Sequence, residues 1–234
     1  MTSAVVFGCT GLVGAQILAT LLASETTISA VRTVSRRPPK TENPKLQAIV
    51  EPDTTQWASK LTSITPPPRA VFSALGTTRA QAGGIDKQWK IDHDLNVELV
   101  HAAREAGADT FVFVSSAGTR GLLGRQLPYG KMKIGVEDAV EAAGFKNSVV
   151  LRPGLLMGDR EVPHSGGPLM IGAVRGIGRW FGQGAQDALG QEADVIGRAA
   201  VHALRIVEEG KAPSKHWVLE AGDIVRLGRT EWKD

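Results

Sequence analysis

The amino-acid sequence predicts an α/β fold, a doubly wound, mostly parallel β-sheet flanked by helices on both faces. Three observations lead to it. Short runs rich in Val, Phe, Ile and Ala recur without the apolar–polar alternation of a half-exposed strand, as strands buried on both faces do. Stretches with apolar residues at helical spacing stand between them. Glycines lie at the joints, where a strand must turn tightly into a helix or a helix must stop.

Taken in order, "AVVF" at 4–7 reads as a buried strand that empties into "GCTGLVG". The following "LVGAQILATLLA" sets Val13, Ile17, Leu18, Leu21 and Leu22 near one face of a helix. Further strands are read at "AVRTV" (30–34), "LQAIV" (46–50) and "AVFSAL" (70–75), with "PPP" at 66–68 ending whatever precedes it. A helix from Asp92 to Ala106 stops at Gly107 and leads into "TFVFVSS", and another from Gly130 to Ala143 stops at Gly144 and leads into "SVVLRPG". Beyond Pro153, "HSGGP" and "RGIGRWFGQG" read as loops around a short helix. A late helix over Glu192–Glu209 turns Val195, Ala199, Ala203, Leu204 and Val207 to a core, and "HWVLE" supplies a closing strand. No composition shift marks a boundary. Residues 1–234 therefore read as one domain, its substrate and cap elements mainly in 155–190 and 210–234.

Composition excludes several classes of function. A chain of 234 residues, 42% hydrophobic, buries a core without help from metals or disulfides. Its 27 Lys and Arg against 24 Asp and Glu are spread out, with no basic stripe interleaved with aromatics, so a nucleic-acid partner is not expected. The lone Cys9 rules out an internal disulfide and a cysteine-based metal cluster, and five scattered histidines lack metal spacing. The first strand follows Met1 too closely for a presequence, and no run reaches the ~20 apolar residues that cross a bilayer.

The three glycines of "GCTGLVG" stand between a strand and a helix, where each has a task. Gly8 permits the tight turn, Gly11 lets the backbone approach a ligand, and Gly14 lets helix and sheet pack closely. The helix start presents unpaired N–H groups to a pyrophosphate, so Thr10, Leu12 and Val13 join the glycines as expected dinucleotide contacts. No Gly-Lys-Ser/Thr follows, which argues against a P-loop. The next strand ends in Ser35-Arg36-Arg37 with no carboxylate; an arginine fork suits a 2′-phosphate and predicts NADP(H) over NAD. The plainer alternative is a solvated arginine pair.

Tyr129 is the single tyrosine of the chain. It lies four residues before Lys133, so a helix there places both on one face, and Ser115 and Ser116 end the preceding strand. An unperturbed phenol titrates near ~10, and a neighbouring ammonium favours its ionised form. In such a set Tyr129 donates a proton to a carbonyl oxygen as hydride arrives, Ser116 holds that oxygen, and Lys133 binds the cofactor ribose. The alternative is a half-buried aromatic at a helix start.

With these residues in place the chain resembles the atypical, extended-like short-chain dehydrogenase/reductase family, and within it the fungal found-in-mitochondrial-proteome proteins and the human Tat-interactive oxidoreductase-like protein. "GCTGLVG" matches the cofactor turn, "YGKMK" the Tyr-x-x-x-Lys pair and "VFVSSAG" the serine strand, where Ser116 fits the active-site serine better than Ser115. "LRPG" (151–154) is similar to a segment that passes the nicotinamide in relatives, and "ALGTTRAQAGG" (74–84) to a segment of this subgroup; Pro153, Gly154, Leu75 and Gly76 are expected cofactor contacts on that ground. Asp92 stands where extended relatives often carry Asn, with Asn96 displaced along the helix, which removes the usual anchor of a proton relay. Leu155, Met157, His164, Met170, Trp180 and Phe181 are the candidates for a substrate site without a charged constellation.

The resemblance implies a Rossmann domain with a small C-terminal substrate region and NADP(H) as cofactor. The function expected is hydride transfer between NADP(H) and a small apolar carbonyl or alcohol; the alternative is a low-turnover NADP(H) sensor acting through a protein partner. It also implies a peripheral, cytosol-facing position at the mitochondrial outer membrane, with a cytoplasmic protein as the alternative. Homo-oligomerisation is left open.

Overall fold

Successive side chains of a strand leave on opposite faces, so a strand that is apolar throughout needs cover on both sides. β1 (Thr2–Phe7) meets this condition in the computed structural model, where Ala4 and Val6 join one core and Val5 and Phe7 the other. The structure describes residues 2–24, 28–158 and 167–233, the side chains of 167–171, 177 and 181 excepted. The strands that follow are β2 (Ile28–Ser35), β3 (Leu46–Val50), β4 (Ala70–Ser73), β5 (Thr110–Val114), β6 (Asn147–Leu151), β7 (Leu155–Met157), β8 (Gly190–Glu192) and β9 (His216–Leu219). Seven form one sheet in the order β3-β2-β1-β4-β5-β6-β9, every neighbouring pair parallel. β7 and β8 pair in a small parallel sheet of their own.

The chain builds outward from β1 through β2 to β3, then returns to β4 on the other side of β1. The reversal between β1 and β4 opens a crevice at their carboxyl ends, the place where parallel sheets hold ligands. The helices are α1 (Leu12–Ala23), α2 (Trp57–Thr62), α3 (Arg79–Ala82), α4 (Ile85–Trp89), α5 (Asn96–Glu105), α6 (Pro128–Ala142), α7 (Gly167–Phe181), α8 (Gln183–Leu189), α9 (Ala193–Glu208) and α10 (Ala221–Val225). α1 and α9 cover one face with Ile17, Leu18, Leu21, Ile196, Ala200 and Leu204. Gly197 permits their close contact, since a Cβ there would sit 2.8 Å from the backbone carbonyl carbon of Gln16. α2, α5 and α6 cover the other face, packing Leu61, Leu99, Val100, Val136 and Val140 around Phe111 and Phe113. The burial of such a phenylalanine contributes about 1.5–3 kcal/mol each.

Two stretches depart from the sequence reading. The single helix expected over Asp92–Ala106 is instead α4, a π-helical turn (Lys90–Leu95) and α5. Asn96 accounts for the wide turn locally: its Nδ2 donates to the carbonyls of Ile91 (3.1 Å) and Asp92 (3.3 Å), and its Oδ1 accepts from Ser73 Oγ at 2.6 Å. Beyond Pro153 the loops with one short helix are replaced by β7, α7, α8 and β8. Glycines at 172, 176 and 178 dilute the helical periodicity of α7, which hid it from a pattern reading.

Candidate active site

The turn from β1 to α1 is built as its glycines require. Gly8 has φ +78, its carbonyl accepts from Gly11 N–H at 2.9 Å, and a Cβ on Gly14 would lie 2.1 Å from that same oxygen. α1 then starts at Gly11 with no side-chain cap and no acidic residue in its first turn, leaving its first N–H groups for an anion. Val13 points its side chain into the core, so only its backbone faces the turn, while Thr10 and Leu12 are half-buried beside it. A Cβ on Gly8 would press to 2.7 Å on the carbonyl oxygen of Ala74, which sets the turn against the exit of β4 where Leu75 and Gly76 lie. This close-approach cradle fits the pyrophosphate of a dinucleotide.

α6 carries the other half of the site. Pro128 pre-sets the first turn of the helix, and Tyr129 follows it, 40% exposed. Lys133, one turn on, is buried; its Nζ donates to the carbonyl of Val114 at 3.1 Å and lies 4.9 Å from the ring centroid of Phe113. Asp92 approaches from the π-helical turn, wholly buried, its Oδ1 accepting from Thr77 N–H at 2.7 Å and its Oδ2 from Gln88 Nε2 at 3.2 Å. Burial pushes its carboxyl above the ordinary range, against the pull of the Lys133 ammonium and of Thr77 N–H. Asp92 is thus a buried carboxyl close enough to Lys133 to feel its charge.

The two serines after β5 have different duties. Ser115 Oγ donates to Glu137 Oε1 at 2.5 Å, deep in the protein, which leaves half-buried Ser116 as the serine open to a substrate. Glu137 also receives Arg120 Nε (2.8 Å) and Arg152 Nε and Nη2 (3.1 and 2.6 Å), and Arg152 reaches on to Glu220. Burial would raise the Glu137 carboxyl, but the hydrogen bonds from Arg152, Ser115 and Arg120 outweigh it and hold it low. The network ties α6 to the ends of β5, β6 and β9. Sequence reading missed it, although Tyr129, Lys133 and Glu137 repeat at a spacing of four along one helix.

Pro153 and Gly154 follow β6 beside this edge: the Pro153 carbonyl accepts from Ala117 N–H at 2.7 Å, and Gly154 N–H donates to Gln191 Oε1 at 2.7 Å. The structure therefore gathers the turn, Leu75, Gly76, Ser116, Lys133, Pro153 and Gly154 at one sheet edge. Among the described residues no hydrogen bond joins Tyr129 to Ser116. Of the substrate candidates, Met157 is buried, Leu155 half-buried and Trp180 86% exposed, so Trp180 does not line a pocket. His164 lies outside the described residues, as do the side chains of Met170 and Phe181. A second Gly-x-x-Gly-x-x-Gly, passed over in the sequence, follows β5 at Gly118, Gly121 and Gly124; Gly118 has φ +74 and accepts from Gly121 N–H at 3.1 Å. Among the described residues no cluster of acidic, histidine or cysteine side chains has the makings of a metal site.

Comparison with known proteins corrects part of the functional expectation. The family model described as "NAD dependent epimerase/dehydratase family" matches residues 4–178. The chain is 62% identical over 234 residues, covering all of both chains, to "Protein FMP52, mitochondrial" of Chaetomium globosum, and 55% identical over 236 residues to "Protein fmp-52, mitochondrial" of Neurospora crassa, covering 100% of this chain and 98% of that one. Among solved structures it is similar to MoeE5 in complex with UDP-glucose and NAD (17% identity, TM-score 0.65, 99% of this chain and 82% of that one). It is also similar to the enzyme WbmF of Bordetella bronchiseptica in complex with NADH (13%, 0.66, 96% and 75%). These structures share the fold.

The expectation of NADP(H), whether for a reductase or for a sensor, is contradicted: the family is described as NAD dependent, and the MoeE5 and WbmF structures hold NAD or NADH. Arg36 and Arg37, both exposed just after β2, carried the NADP(H) reading, and an arginine pair at a strand end does not by itself specify a 2′-phosphate. A small apolar carbonyl substrate gives way as well, since matched complexes hold UDP-glucose or UDP-glucuronic acid and the exposed Trp180 takes away part of the apolar pocket that suggested it. The membrane expectation has no support either. No helix among the described residues is long and apolar enough to cross a membrane, and the relatives' names stop at the mitochondrion. From turn to C-terminal helices, the chain belongs to the NAD dependent epimerase/dehydratase family, among the fungal mitochondrial FMP52 proteins.

Proposed function

We propose that the chain is an NAD(H)-dependent enzyme of the mitochondrion that exchanges a hydride with a hydroxyl-bearing carbon of a nucleotide sugar. What supports this reading is the glycine turn after β1 and the buried Lys133 at the end of β5, on one sheet edge, with the exposed Tyr129 one turn before Lys133 on α6. When bound, the dinucleotide supplies the hydride acceptor and donor.

The chain's own residues do the rest. Gly8–Gly14 binds the pyrophosphate through backbone N–H groups, and Gly76, Pro153 and Gly154 leave a path toward α6. Lys133 orients the ribose. Tyr129 takes the proton of the substrate hydroxyl on its phenol oxygen as the hydride leaves the same carbon, and returns that proton when the carbon is reduced again. Ser116 donates a hydrogen bond to the reacting oxygen. Reduction from the opposite face inverts the carbon, which is epimerisation.

The test is incubation with NAD+ and UDP-glucose or UDP-glucuronic acid, followed by NMR of the sugar protons. An epimerised or oxidised product from the wild type and none from Tyr129→Phe supports the proposal; no product from either, or equal product from both, refutes it. Protease treatment of intact mitochondria separates a cytosol-facing site, where the chain is degraded, from an internal one, where it is protected.

A further inference from the structure

We propose that the outer face of α6 and the loop before it hold a small phosphate monoester, in a cavity of about 420 Å³ lined by Arg120, Arg125, Lys131, Ile134, Gly135 and Asp138. The site is separate from the cofactor turn and stands without the NAD(H) reading. Lys131, Ile134, Gly135 and Asp138 recur at intervals of three and four, so they share one face of the helix, turned away from the face on which Tyr129, Lys133 and Glu137 recur. Burial agrees with this division: Lys133, Val136 and Glu137 are buried, whereas Lys131 and Asp138 are exposed.

The charge of the lining selects the ligand. Three cations stand with one carboxylate, a surplus of two positive charges in one cavity, where the whole chain of 234 residues has a surplus of three. Asp138 is already engaged, since Arg120 Nη2 donates to its Oδ1 while Arg120 Nε donates to Glu137 Oε2 at 2.8 Å. Arg125 donates from Nε and Nη2 to the Arg120 carbonyl (3.3 and 2.9 Å), and neither Arg125 nor Lys131 pairs with a carboxylate among the described residues. Lys131 therefore keeps its N–H donors, and Arg125 keeps Nη1, for a ligand. The loop that carries both arginines is shaped beforehand: Gly118 has φ +74, and a Cβ on Gly124 would stand 2.0 Å from the Gly118 carbonyl oxygen. A phosphate ester, which carries a charge of about −1.5 to −2 at neutral pH, balances the surplus. A carboxylate balances half of it, and an apolar ligand would cover cations without giving them a partner. Ile134 and the bare Cα of Gly135 leave an uncharged wall for the esterified group.

The test is titration of the isotopically labelled full chain with inorganic phosphate, against sodium chloride at constant ionic strength, read from the backbone amide shifts in NMR. Phosphate is expected to give saturable shifts over residues 120–138 that chloride does not give. The double variant Arg125→Gln, Lys131→Gln should weaken that binding about tenfold or more, as the loss of hydrogen bonds to a charged group does, and melt with the wild type because both side chains are exposed. Asp138→Asn removes the one negative charge of the lining and should tighten it, a sign that no general loss of stability produces. Phenyl phosphate should bind at least as tightly as the free ion. No saturable shift over 120–138, shifts confined to residues 8–14, equal shifts with chloride, or unchanged affinity in the double variant or in Asp138→Asn overturns the inference. Exclusion of phenyl phosphate overturns the assignment to an ester. None of these outcomes touches NAD(H) binding, which the glycine turn carries on its own.

Discussion

Tyr129 stands at the start of α6 with its phenol reachable from solvent and its partner Lys133 one turn deeper. Removing one hydroxyl there isolates the proton step. Tyr129→Phe is expected to lower turnover by about 10²–10⁴-fold, as loss of a general acid–base does, with NADH affinity unaltered in a fluorescence titration. The neighbouring serines divide similarly: Ser116→Ala lowers turnover with little change in melting temperature, whereas Ser115→Ala lowers the melting temperature because it strips a donor from buried Glu137. At this scale the sequence was informative where chemistry follows from local spacing, as in Tyr129–Lys133 and Gly8–Gly11–Gly14. It was silent on Asp92 meeting Lys133, which depends on a π-helical turn and two packed elements. It misled at Arg36 and Arg37, because an arginine pair at a strand end reads the same whether or not it meets a 2′-phosphate.

α6 is held at its middle by a carboxylate that four hydrogen bonds from three residues converge on. Truncating Glu137 leaves Arg152 and Arg120 without their buried partner. Glu137→Ala is expected to cost about 3–5 kcal/mol in denaturant unfolding at neutral pH. Because the folded Glu137 carboxyl titrates below its unfolded value, its stabilisation is present above the unfolded pKa and is lost as pH falls through the folded one. The stability gap between wild type and Glu137→Gln therefore narrows on acidification through that window. Asp92 has the opposite sign: its folded carboxyl titrates above the unfolded value, so its contribution is present below the unfolded pKa and is lost as pH rises through the folded one. Urea unfolding of Asp92→Asn should show the variant gaining on the wild type as pH rises from the unfolded pKa of Asp92 through its higher folded one. The elements themselves were legible where strands are apolar on both faces and helices end in glycine, as at Gly107 and Gly144. They were not legible in α7, whose glycines interrupt the period.

The whole molecule is a seven-stranded parallel sheet between two helical layers, and its site exists because the chain reverses between β1 and β4. The layers reach their distance through small residues. Gly197→Leu, which would drive a side chain into the backbone of Gln16, is expected to separate α9 from α1 and cost about 1–3 kcal/mol or more in chemical unfolding. Fold class was readable from alternation of strand and helix alone, because every buried strand needs cover on both faces. The stretch after Pro153 was not, since β7 and β8 pair there across the helices between them, by contacts distant in sequence. The claim on which this account stands is that the β1–α1 turn binds NAD(H). Titration of NADH fluorescence with the wild type and with Gly14→Ala tests it most directly. A saturable signal from the wild type that is lost in the variant is the predicted result; no saturable signal from the wild type, or the same curve from both, would contradict it.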